Sequence, residues 1–138
     1  MIDELYQEVI LDHSKSPRNF GVLDQYTCTA EGNNPMCGDQ LTVYVDIKDD
    51  IVSDVSYRAR GCAISVASAS MMTSIIKGKT IEEVNILFDK FHKLCMGEEV
   101  EDDDDTERLR VLSGVSKFPT RVKCATMSWH AVREACTK

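Results

Sequence analysis

Hydrophobic and polar residues follow two different periods along this chain. Ile2, Leu5, Tyr6, Val9 and Ile10 fall three and four apart, which predicts an amphipathic helix at the start. Residues 13–21 (HSKSPRNFG) are rich in turn formers and end it. Residues 26–30 are a candidate strand, and residues 33–39 (NNPMCGD) read as a loop. Leu41, Val43, Val45 and Ile47 then alternate with Thr42, Tyr44, Asp46 and Lys48, the period of a half-buried strand. Asp49 and Asp50 suit a turn. Val55, Tyr57 and Ala59 alternate again, so a hairpin is predicted.

After Gly61 and Cys62 the period becomes helical. Residues 63–77 are small and apolar without a breaker, and Gly78 suits the position just past a helix end. Thr80 with Glu83 is a capping-box signature ahead of the stripe Ile81, Val84, Leu87, Phe88, Phe91 and Leu94. A short helix is expected through Leu109 and Leu112. Pro119 and Thr120 open a last helix with Val122, Ala125, Trp129, Val132 and Cys136 on one face. Strands early and helices late predict an α+β fold, a small antiparallel three-stranded sheet covered by helices on one face.

Composition narrows the class. At 138 residues the chain fits one compact domain with enough core to fold without disulfides. No apolar run approaches the ~20 residues of a membrane span. The start, Met1-Ile2-Asp3-Glu4, has no basic n-region and no apolar h-region, so the cytoplasm is the expected location. In a reducing compartment the six cysteines are expected as thiols, metal ligands or nucleophiles. The net charge of −7 is uneven. Residues 98–107 (EEVEDDDDTE) carry eight acids and no base, and the rest balances 15 acids against 16 bases. That run reads as a solvated loop whose aspartates start a helix near Thr106. Without a basic patch or interleaved aromatics, nucleic-acid binding is not expected.

Three cysteines occupy positions where the chain makes them reactive. Cys37 sits in the loop, two residues before Asp39, with Gly38 easing the backbone between thiolate and carboxylate. Cys62 follows Gly61 and directly precedes a predicted helix. Cys124 is placed in the first turn or so of the last helix, beside Arg121 and Lys123. Helix N-termini carry unpaired N–H groups and partial positive charge, which favour thiolate. A cysteine is more often a small buried hydrophobe than a ligand, and that reading is applied to Cys28, Cys95 and Cys136. The gaps of 25 and 62 residues are weak support for a shared site on their own. His13, His92 and His130 are scattered and form no set.

The local segments are more specific than the gaps. Asn-Asn-Pro-Met-Cys37-Gly-Asp39, Gly-Cys62-Ala-Ile-Ser-Val-Ala-Ser-Ala-Ser-Met-Met and Phe-Pro-Thr-Arg-Val-Lys-Cys124-Ala-Thr-Met-Ser-Trp resemble the three ligand segments of the U-type iron–sulfur assembly proteins. That family includes the IscU, SufU and NifU N-terminal groups. The resemblance covers nearly the whole chain, including the loop of residues 13–21. It is nearest to the SufU branch. IscU-type scaffolds carry a histidine directly before the third cysteine, where this chain has Lys123, and SufU-type proteins carry an insertion where the acidic run lies.

This resemblance implies a metal site at one end of the sheet, with zinc held by Cys37, Asp39, Cys62 and Cys124. It implies a cysteine desulfurase of the SufS type, a pyridoxal-phosphate enzyme, as partner, alongside other cluster-assembly proteins. Cys37 is then the sulfur acceptor, released from zinc when the partner supplies a competing ligand. Zinc suits three thiolates and a carboxylate, and the formal charge near −2 would be eased by Arg121 and Lys123. A scaffold that transiently assembles a [2Fe–2S] cluster on the same ligands is the alternative. A purely structural zinc site is a third reading.

Overall fold

We describe a computed structural model covering residues 2–16, 18–34, 38–101 and 103–136, without the side chains of residues 2–6, 9, 14, 114 and 117. The sheet has order β1-β2-β3, with β1 at Cys28–Asn34, β2 at Asp39–Lys48 and β3 at Ile51–Arg60, all antiparallel. Alternation in β2 sends Leu41, Val43 and Val45 to one face, where all three are buried. Register sets them opposite Ala59, Tyr57 and Val55 of β3. Asp49 and Asp50 both adopt positive φ, 53° and 62°, as a two-residue hairpin turn matched to strand twist requires.

Helices cover this apolar face. α1 (Ile2–Lys15) packs on α2 (Ala63–Ile76), while α2 and α5 (Pro119–Cys136) lie against the strands. α3 (Ile81–Cys95) packs on α5 and buries Val84, Leu87, Phe88, Phe91 and Leu94 of the predicted stripe, with Ile81 half-buried at its start. Its capping box is formed, with Glu83 N donating to Thr80 Oγ1 at 3.1 Å and Thr80 N donating to Glu83 Oε1 at 3.0 Å. Trp129 of α5 is 1% exposed and stacks on Phe91 with ring centroids 4.8 Å apart. No helix among the described residues is long and apolar enough to cross a membrane.

The structure moves three of the predicted boundaries. The first strand begins and ends later than residues 26–30, because its ladder to β2 runs from Cys28–Val45 to Asn34–Asp39. Asn33 and Asn34 are therefore strand residues, since cross-strand pairing outweighs their turn-forming composition. The helix expected through Leu109 and Leu112 divides into α4 (Asp104–Leu109) and a 3₁₀ segment, Arg110–Lys117. Finally, Cys124 is the sixth residue of α5, in its second turn. Of the two, it is Cys62 that sits at a helix start, as the N-cap residue of α2.

Candidate metal centre

The inward face of β2 does not stop at Leu41. Two residues earlier the same alternation points Asp39 toward the helices, where it has no exposed surface. The N-terminus of α2 brings Cys62 to this carboxylate, and α5 brings Cys124, itself 2% exposed. One donor atom from each of Asp39, Cys62 and Cys124 lies within 4.8 Å of the other two. Cys37 falls outside the described residues. It is joined to the group by sequence, two positions before Asp39.

Asp39 is the hub. Its Oδ2 accepts from Ser65 Oγ at 2.6 Å, Cys124 Sγ at 3.0 Å and Cys62 Sγ at 3.4 Å. Its Oδ1 accepts the backbone N–H of Cys62 at 2.7 Å. Asn34, paired with Asp39 across the β1–β2 ladder, donates Nδ2 to Cys124 Sγ at 3.4 Å. Burial pushes the Asp39 carboxyl upward. The bonds from Ser65, Cys124 and Cys62 together outweigh it and hold the group below its ordinary 3.8.

Glycine makes the close approach possible. Gly61 has φ +144°, and a Cβ there would come 2.7 Å from Asp39 Cγ and 2.8 Å from Asp39 Cα. Only a residue without a side chain lets the chain pass over the carboxylate and deliver Cys62. At Gly38, with φ +72°, an added Cβ would meet nothing within 4 Å among the described residues, so the requirement there is conformational.

The donor set fits a thiophilic divalent cation. Two thiols already aim their sulfurs at one buried carboxylate oxygen, and thiols must lose their protons to bind metal. Replacing those S–H protons with a cation keeps the same atoms facing one point. Two cysteines outside the group are packed into the fold. Burial pushes Cys95 up to about 12 and Cys136 up to about 11, as inert packing thiols require.

The two predicted cations part company. Arg121 lines an open cleft of about 590 Å³ that holds Cys62 and Cys124 together with Ile64 and Phe118. Its guanidinium sits 4.4 Å over the Phe118 ring. Lys123 lines a separate groove between β1 and α5, with Asn34 and His130. Two contributors escaped the sequence reading. Ser65 lies three residues after Cys62, a spacing that puts it on the same face of α2. Asn34 had no legible signal, because its role depends on register with Asp39.

Known proteins share this arrangement of sequence and fold. The family model described as "NifU-like N terminal domain" matches residues 5–138. The chain is 45% identical over 137 residues to a Bacillus subtilis protein named zinc-dependent sulfurtransferase SufU, covering 99% of this chain and 92% of that one. It is 40% identical to a Streptococcus pyogenes protein named iron–sulfur cluster assembly scaffold protein IscU, covering 97% and 84% of the two chains. A crystal structure from Fervidobacterium islandicum superposes with a TM-score of 0.87 at 32% identity, over 94% of both chains. It is described as a candidate iron–sulfur cluster assembly scaffold protein for the SUF system.

Proposed function

This chain belongs to the family of NifU-like N-terminal domains, and from that footing we propose that it is an iron–sulfur cluster biogenesis protein which accepts sulfur from a cysteine desulfurase. Residues 1–138 form a single domain of this type in that reading. The observation that carries the reading is the convergence of Asp39, Cys62 and Cys124 from a strand start, a helix cap and a second helix. Zinc is the resident metal in this reading, with Cys37 as the fourth ligand. The name of the Bacillus subtilis relative supports that choice. When bound, zinc would keep the thiolates deprotonated at neutral pH and add no redox chemistry of its own.

The protein's own residues then have separate tasks. Asp39, Cys62 and Cys124 form the walled side of the site, since Asp39 and Cys124 are almost fully buried. Ser65 and the Cys62 N–H hold the carboxylate in place. Cys37 is the acceptor in this reading, which the family resemblance supports; Cys124 is buried, and transfer needs a thiolate with access to the attacked sulfur. Its sulfur attacks the outer sulfur of the desulfurase persulfide. The donor's S–S bond breaks, the donor cysteine leaves as a thiolate, and the persulfide now sits on Cys37 with no net oxidation. Arg121, in the cleft beside Cys62, lowers the cost of concentrating negative charge there.

The scaffold alternative draws on the name of the Streptococcus pyogenes relative. The same donors could carry a [2Fe–2S] cluster as cargo. Lys123 lines the outer groove and offers no imidazole to such a cluster. The deciding experiment measures turnover of a SufS-type desulfurase with this protein added, alongside metal content after anaerobic purification. Stimulation that disappears in Cys37→Ser, with about one zinc per chain, is the expected result. No stimulation by a zinc-loaded protein would overturn the acceptor reading. Iron with cluster absorbance in the absence of stimulation would favour the scaffold.

A further inference from the structure

The sheet carries two cations with no acidic partner among the described residues. β3 ends in Tyr57-Arg58-Ala59-Arg60, and alternation sets Arg58 and Arg60 opposite Thr42 and Gln40, away from the helix-covered face. Both arginines are exposed, and neither takes part in an ion pair among the described residues. Arg18, Lys48, Lys77, Lys79, Lys90 and Arg133 each lie against a carboxylate. Arg58 and Arg60 differ from other cations without a described ion pair, such as Lys15 and Lys93, in standing side by side on one strand and lining one groove, in a chain of net charge −7.

These arginines line a groove of about 550 Å³ with Gln40, Thr42 and Phe20. Phe20 is 49% exposed but not loose. Its neighbours are hydrogen-bonded to β3, with Gly21 N donating to Tyr57 O at 2.8 Å and Tyr57 N donating to Asn19 O at 3.2 Å. Its ring meets Tyr57 edge-on, with centroids 5.3 Å apart. The groove also adjoins the candidate metal centre through the chain itself. Gln40 follows Asp39, and Arg60 stands two residues before Cys62.

The geometry points to a docking surface for an acidic segment of the sulfur donor, gripped by Arg58 and Arg60 while an apolar side chain covers Phe20. This inference rests on the sulfur-acceptor reading and names the chemistry of the partner's contact. Guanidinium groups two residues apart on a strand offer paired, planar donors suited to carboxylates. A fixed aromatic beside them supplies buried area at low entropic cost. Charge placed beside the reacting centre steers encounter and fixes register, and it is screened by salt.

The test compares wild-type protein with Arg58→Glu/Arg60→Glu and with a control of equal charge change, Lys15→Glu/Lys93→Glu, on exposed helix positions. A SufS-type desulfurase is the probe. Its affinity for each protein is measured by calorimetry, and its KM and kcat for each by sulfide release, at low and at physiological ionic strength. For the groove variant, Kd and KM rise about 10–100-fold at low salt, and their salt dependence flattens. kcat at saturation, zinc content and Tm stay at wild-type values, and the control shifts Kd less than about threefold. Equal Kd values for the groove variant and the wild type would overturn the docking surface while leaving the acceptor reading standing. Wild-type binding without sulfur transfer would overturn the acceptor reading, and the Kd comparison would still decide the surface. No binding by the wild type would remove both.

Discussion

Burial alone makes a carboxylate harder to ionise, yet Asp39 is held below its ordinary pKa with no exposed surface. Four donors do this, and two of them are thiols, a group that loses its proton when it binds a metal. Asp39→Ala should leave the thiolates able to hold zinc, because they dominate affinity. On the proposed sulfur-acceptor reading, desulfurase turnover should fall at least ~10-fold, since the site loses a ligand that orients it. Zinc content and turnover both at wild-type levels would make Asp39 a bystander. Ser65→Ala removes a 2.6 Å bond that orients the same carboxylate. Outer-shell losses of this kind weaken metal binding about 10–100-fold, which competition with a chromophoric chelator would read. Gly61→Ala acts on the backbone instead. Its Cβ would press on Asp39 and its φ of +144° is strained for any L residue. Strain alone costs ~1–3 kcal/mol, and zinc occupancy should drop with it.

Between the residue and the fold, the acidic run has local work to do. Asp103 is the N-cap of α4, accepting from Thr106 N at 2.7 Å, and it also pairs with Lys90 of α3 at 3.0 Å. Asp105 pairs with Lys79 at 2.7 Å. The cap bond to Thr106 and the Lys90 contact hold the Asp103 carboxyl down at about 2, from an ordinary 3.8. A depressed folded-state pKa means stability that is present above 3.8 and is lost as pH falls from 3.8 toward 2. Asp103→Ala should therefore cost ~1 kcal/mol at neutral pH, the usual value of an N-cap. The difference from wild type in urea midpoint should shrink across that acid window. A difference that stays constant from pH 7 to pH 2 would show that the charged cap is not what α4 depends on.

At the scale of the molecule, the candidate centre ties together positions 39, 62 and 124, which belong to β2, the start of α2 and α5. A metal there cross-links the sheet to both helices that cover it, so binding stabilises the folded state by mass action. At free zinc ~1,000 times its Kd the gain is ~4 kcal/mol. Chelation should then lower Tm by on the order of 10 °C for a chain of this size. The single tryptophan, Trp129, is buried between α3 and α5 and reports that transition by fluorescence. An unchanged Tm after complete chelation would argue that no metal links these elements.

Local pattern was enough for much of this protein. The alternation from Leu41 to Lys48, the paired aspartates of the hairpin, the Thr80–Glu83 capping box and the stripe of α3 each depend on neighbours a few residues apart. A single chain displays such signals directly. The three motif segments were likewise legible, and with them the candidate ligands. Tertiary structure decided the rest, because it depends on contacts between distant positions. Asn33 and Asn34 look like turn residues until Gln40 and Asp39 pair with them. Arg121 and Lys123 are two apart in sequence, but they line different grooves, since a helix turns by about 200° over two residues. Gly61 reads as a strand breaker, and only the packed fold shows that its missing side chain makes room for Asp39. The burial that makes Asp39 a hub, and the four donors that keep it ionised, exist only once β2, α2 and α5 have met.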